Sequence, residues 1–115
     1  MQEYDKSIAI FKKLVQLITG DIYTWDCFAQ VYAKQDAFVE ARKIILDALH
    51  FNPDSALLHY RLAAYYLLNN ELLKGMTVLE NTLKAFPDES DCFFDVFEPG
   101  ETDDEIISLI NKYHI

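Results

Sequence analysis

The chain has 115 residues, 51% of them hydrophobic, which suits one domain with a continuous core, and its formal net charge is −9. Ten Lys and Arg stand against nineteen Asp and Glu with no basic stripe, which speaks against a reader of nucleic-acid phosphates. No run approaches the roughly 18 apolar residues of a membrane span, nor does a signal-peptide pattern follow Met1, so a cytoplasmic location is expected for the chain taken by itself.

The first predicted helix covers residues 3 to 18, EYDKSIAIFKKLVQLI, with Ile8, Phe11, Val15 and Ile18 as its partner face. Residues 22 to 55 then read as two helices joined by a short turn around Asp36, and residues 56 to 89 as two more joined around Asn69 to Glu71. Pro53 and Pro87 stop the second helix of each pair, because the residue before a proline is pushed out of the helical region. Asp54 and Asp88 follow as candidate caps for the next helix. Beyond Phe93, Val96 and Phe97, the pair Pro99 and Gly100 breaks the chain. A last helix over 103 to 113 has Ile106, Ile107, Leu109 and Ile110 as its apolar side, opened by Thr102 with Asp103, Asp104 and Glu105 as a capping box.

Pro53 and Pro87 lie 34 residues apart, and the stretches leading to them, ARKIILDALHFNPD and GMTVLENTLKAFPD, read as copies of one unit. Counted from Ile22, the fourth, seventh, eighth and eleventh places hold Trp25, Phe28, Ala29 and Tyr32. The twentieth, twenty-fourth, twenty-seventh and thirty-second hold Ala41, Ile45, Ala48 and Pro53. Counted from Ala56, the same places hold His59, Leu62, Ala63, Tyr66, Gly75, Leu79, Thr82 and Pro87. Eight agreeing spacings resemble the tetratricopeptide repeat (TPR), with departures at His59, Gly75 and Thr82. Small residues at Ala29, Ala41, Ala48, Ala63 and Gly75 let antiparallel helices approach, and Tyr32 and Tyr66 fill the wider gaps.

The resemblance implies an all-α fold: a helix-turn-helix solenoid of about seven helices, wound as a right-handed superhelix in a single domain. Its parts would be the second half of a repeat (1–21), two full repeats (22–55 and 56–89) and a degenerate acidic cap (90–115). It further implies a non-catalytic scaffold that binds a partner protein or peptide in a concave groove. The groove places are Tyr23, Asp26, Gln30, Ala33 and Lys34 in the first full repeat, and Leu57, Tyr60, Ala64, Leu67 and Leu68 in the second. Asp26 and Tyr60 stand where family members that grip a C-terminal carboxylate carry Lys, which disfavours that role. The helix around LLHYRLAAYYLL is apolar nearly all round, so either a partner, or the segment Phe93 to Phe97 or ordinary packing within the array, is expected to cover it. Because the pattern opens halfway through a repeat, the chain is expected to be the C-terminal part of a longer array; an alternative function is self-assembly into homo-oligomers through the uncovered first helix.

Nine acids and no Lys or Arg lie between Asp88 and Glu105, matching the whole net charge of −9. They lack the loop pattern of a calcium site, and capping and solubility of the end of the array explain them better. Cys27 and Cys92 have no close Cys or His, so no metal is expected, and both read as buried or half-buried thiols. His50, His59 and His114 are not poised together, so neither catalysis nor a cofactor is expected.

Overall fold

A computed structural model describes residues 2–98 and 103–113, the side chains of Gln2 and Glu3 excepted. It is all-helical, with no strand among the described residues. Seven α-helices follow in order: α1 (Gln2–Leu17), α2 (Ile22–Ala33), α3 (Phe38–Phe51), α4 (Ala56–Leu68), α5 (Leu72–Ala85), α6 (Asp91–Phe94) and α7 (Asp104–Tyr113). A 3₁₀ turn, Pro87–Glu89, lies between α5 and α6.

The backbone repeats with the period of the sequence. α2 and α4 begin at Ile22 and Ala56, and α3 and α5 at Phe38 and Leu72, each pair 34 apart. Asp36 and Asn70, also 34 apart, both adopt the left-handed region, with φ of 58° and 61°. Asp and Asn are among the few residues that tolerate it, because a short polar side chain can hydrogen-bond locally. Asn52 and Phe86, each just before a proline, leave their helices at φ near −137° and −136° with nearly equal ψ. Identical turns at a fixed interval hold each helix pair in the same hairpin.

The caps differ from those expected at two places. Asp21 caps α2, accepting from the Tyr23 amide and the Thr24 hydroxyl. Ser55 rather than Asp54 caps α4, accepting from the Leu58 amide at 3.2 Å. Asp88 is taken up by the 3₁₀ turn after Pro87 and caps nothing, since Pro at the start of that turn leads directly into Ser90 and α6. Thr102 and the break at Pro99 and Gly100 lie outside the described residues.

Each helix packs chiefly on its neighbours in the chain, α1 on α2, α2 on α3, α3 on α4 and α4 on α5. Among the small residues of the repeat pattern, Ala29, Ala41, Ala48 and Ala63 are fully buried, and Gly75 is buried too. Two core clusters form. One joins Val15, Trp25, Phe28, Ile45, Leu58, Leu62 and Tyr65; the other joins Tyr60, Leu67, Leu79 and Leu83 to Phe93, Phe97, Ile106 and Ile110. The tail therefore belongs to the core: α6 lies on α4, and α7 lies on α5. Fully burying a side chain such as Phe93 contributes about 1.5–3 kcal/mol toward holding α6 in place.

At the other end, α1 turns a different face outward from the one expected. Val15 is buried, and Ile8 and Phe11 pack on the core, with the Phe11 ring stacked on Phe28 at 5.9 Å. The exposed apolar residues are Ile10, Leu14, Leu17 and Ile18. Of the residues expected to be uncovered, only Ile18 is. Cys27 is exposed rather than buried, whereas Cys92 is half-buried; burial pushes the Cys92 thiol pKa up.

Candidate functional site

Arg61 is the hub of the molecule's interior. It stands on α4 in an otherwise apolar face, so its charge must be paired or pay the cost of desolvation. Its Nε and Nη2 meet the two oxygens of Asp26 on α2 at 2.7 and 3.0 Å, a bidentate geometry that gives both directionality and strength. Nη1 reaches the Cys92 carbonyl and, at 3.4 Å, the Asp95 carboxylate. Burial alone would favour loss of the Arg61 proton, but the hydrogen bonds and charge of Asp26 outweigh it and hold the pKa above its ordinary value. One side chain thus ties α2, α4 and the α6 segment together.

Above this pair lies a cavity of about 250 Å³, lined by Gln30, Ala33, Lys34, Phe38, Tyr65, Leu68 and Val96. Gln30 is fixed by donating its side-chain amide to Asp26 at 3.1 Å. Phe38 and Tyr65 form one wall, their rings stacked with centroids 6.5 Å apart. Val96 follows Asp95 directly, so the contacts of Arg61 with Cys92 and Asp95 place this wall too. The Tyr65 hydroxyl is buried and has no hydrogen-bond partner among the described residues. Burial, reinforced by the Asp26 charge, holds it protonated to well above the usual tyrosine pKa. Lys34 is exposed at the rim and makes no ion pair among the described residues.

The ten residues expected along one groove separate into three groups. Gln30, Ala33, Lys34 and Leu68 come together in the cavity. Tyr23 is 71% exposed at the far end of α2, and Leu57 is half-buried against the core. Asp26, Tyr60, Ala64 and Leu67 are buried, and none of them lines this cavity. The cause is specific in each case. Asp26 is consumed by Arg61. Tyr60, Ala64 and Leu67 lie in one cluster with Phe93 and Phe97, and the Tyr60 hydroxyl donates to the Phe86 carbonyl. Burial raises the Tyr60 pKa to about 12. The segment from Phe93 to Phe97 and packing within the array, on α3 and α5, together cover the α4 helix.

Arg61, Phe38, Tyr65 and Val96 were not among the expected site residues. Arg61 carried a signal: a lone cation in LLHYRLAAYYLL demands a buried anion, and the acid one unit and one residue earlier is Asp26. Elsewhere, His59 places Nε2 2.7 Å from the Pro53 carbonyl and stacks its ring on Phe86, a joint between turns. His50 meets the edge of Phe51, and His114 lies outside the described residues. Among the described residues, no three His, Cys, Asp or Glu come together as a metal-binding group. Among the described residues, no helix is long and apolar enough to cross a membrane.

No family model matches the chain, and no curated protein matches it either.

Proposed function

We propose that the chain is a TPR-type scaffold that binds an extended or helical segment of a partner protein without catalysing a reaction. Its units in this reading are residues 1–21, 22–55, 56–89 and 90–115, stacked as a right-handed solenoid. What supports the repeat is the backbone period described above: equal helix starts, equal left-handed turns and equal exits before proline. The observation that carries the binding function is the convergence of Gln30, Ala33 and Lys34 of one unit with Leu68 of the next on a single cavity.

The size of the cavity narrows its occupant. Small-molecule and cofactor sites run from about 300 to 1,000 Å³, and about 250 Å³ with Phe38, Tyr65, Leu68 and Val96 in the wall suits one apolar side chain of a peptide. The Lys34 ammonium at the rim favours a carboxylate beside that side chain. Asp26 is neutralised by Arg61, so it does not oppose such an acid.

The test is selection of peptides from a displayed random library on the immobilised chain. Fluorescence anisotropy then compares the selected peptides on the wild type, Leu68→Ser and Lys34→Glu. An apolar residue next to Asp or Glu should be enriched, and each variant should weaken binding by about tenfold or more, the worth of one well-placed contact. Selected peptides that bind both variants as tightly as wild type would show that this cavity is not the site.

A further inference from the structure

The two ends of the molecule carry apolar patches of opposite electrostatic character. On α1, Ile10, Leu14 and Leu17 are 58%, 36% and 79% exposed. Spacings of four and three place them on one strip about 10 Å long. Lys6, four residues before Ile10, and Lys13, four before Leu17, flank the same strip and are exposed. Asp5 and Lys12 fall about 140° and 160° round the helix from Ile10, away from the strip.

At the other end, a groove of about 350 Å³ runs between α5 and α7. Leu67, Leu72, Met76 and Ile106 form its apolar part, and Asp103, Asp104 and Glu105 its polar edge. Leu72 is 60% exposed there. Lys6, Lys13, Asp104 and Glu105 make no ion pair among the described residues.

We propose that these surfaces bind each other between copies: the outer strip of α1 in one molecule seats in the acidic groove of the next. Charge selects this pairing over the symmetric ones. Two α1 strips face to face would oppose Lys6 and Lys13 with the same lysines, and two grooves would oppose carboxylates. Only the head-to-tail contact joins apolar to apolar and cation to anion. Such a contact leaves one strip and one groove free at the ends, so the assembly can grow as an open chain. It involves neither Lys34 nor the cavity above Arg61, so it stands or falls separately from the partner-binding function.

Sedimentation velocity on the 115-residue chain, across a roughly hundredfold range of concentration and at low and high salt, tests it. The wild type should associate, and less so at high salt. The doubly substituted K6E/K13E and D104K/E105K should each be monomeric alone. Mixed in equal amounts they should associate again as an alternating chain, because each unaltered strip finds an unaltered groove and each charge-reversed strip a charge-reversed groove. The milder D104N/E105Q, which does not set lysines against the start of α7, should still associate, at least about threefold more weakly than wild type. Circular dichroism checks that each variant keeps its helices. A wild type that stays monomeric at the highest concentration overturns the proposal. So does self-association of K6E/K13E alone at wild-type strength, or a mixture that stays monomeric while both variants are folded.

Discussion

The units α2–α3 and α4–α5 share a backbone and differ in how they are surrounded. α2 buries Trp25, Asp26, Phe28 and Ala29 and leaves Tyr23 open, whereas nine of the thirteen residues of α4 are buried. α4 has α3, α5 and α6 around it, and α2 has α1, α3 and only an edge of α4. In a stack of short-range contacts, burial follows the number of neighbours more than the residue pattern. The fifth place of each unit shows the consequence. Asp26 is satisfied across the junction with the next unit, by Arg61, whereas the Tyr60 hydroxyl is satisfied within its own unit, by the Phe86 carbonyl. A second contrast lies within the hairpins. Where the first unit has Ala33 and Ala41, the second has Leu67 and Gly75, so a larger residue on one helix is matched by a smaller one on the other.

The largest effect should come from breaking the junction at Asp26. Asp26→Ala strands the buried Arg61 charge and should cost about 3–5 kcal/mol in urea unfolding, whereas joint replacement with Asp26→Leu and Arg61→Met should recover most of it. A single substitution no worse than the double would mean the pair is not desolvated as described.

The Leu67 and Gly75 pair can be probed next. A Cβ on Gly75 would lie 2.6 Å from the Leu67 side chain and 3.1 Å from its backbone nitrogen. Leu67 is 4% exposed and has little room to swing. Gly75→Ala should therefore destabilise by about 1–2 kcal/mol, although alanine in an open helix would stabilise by nearly 1. Adding Leu67→Ala, which rebuilds the pair of the first unit, should relieve the clash while leaving a cavity penalty. Thermal melts of the two single variants and the double variant measure the coupling.

Tyr60→Phe removes the hydrogen bond to Phe86 and should cost about 1 kcal/mol near neutral pH. Its pH dependence is the sharper mark. The folded state holds the Tyr60 proton up to about pH 12, above its ordinary value of 10.0. The unfolded chain therefore releases that proton first, and the stability it contributes is complete below about pH 10 and lost as pH rises toward 12. Urea midpoints at pH 9 and pH 11.5 should fall less in Tyr60→Phe than in wild type, with Tyr65, similarly raised, accounting for the remaining slope.

The smallest effect belongs to the turn that starts α5. Glu71 accepts from Asn69 and Arg42, and these hold its carboxyl below the ordinary range. Its contribution is present above that range and fades as the pH falls through its lowered value. Glu71→Gln should be slightly less stable than wild type at pH 7, and the gap should narrow steadily as chemical denaturation is repeated at lower pH.

The helices, their turns at Asp36 and Asn70, and the buried small residues were legible because each depends on residues close in the chain or on the 34-residue period. The candidate site was legible only where place in the unit and final exposure coincide, as at Gln30, Lys34 and Leu68. Asp26 and Tyr60 were misplaced because a periodic pattern tells which way a side chain points and not what meets it there. The face of α1 was misjudged for a related reason. Its strip of Ile10, Leu14 and Leu17 is as apolar as the strip that α2 covers, and periodicity does not choose between two adjacent apolar strips.

Trp25, the one tryptophan of the chain, is 5% exposed; its indole donates to the Thr19 carbonyl at 2.9 Å and its ring stacks on Phe51 at 6.0 Å. Asn52 donates to the same carbonyl. The fluorophore is thus built into the joint between the end of α1 and the exit of α3, far along the chain from the acidic tail. Its emission watches one end of the molecule while circular dichroism watches all of it. Peeling of α6 and α7 would be dark to the first and visible to the second, so the gap between the two melting curves is a direct gauge of how cooperatively the stack comes apart.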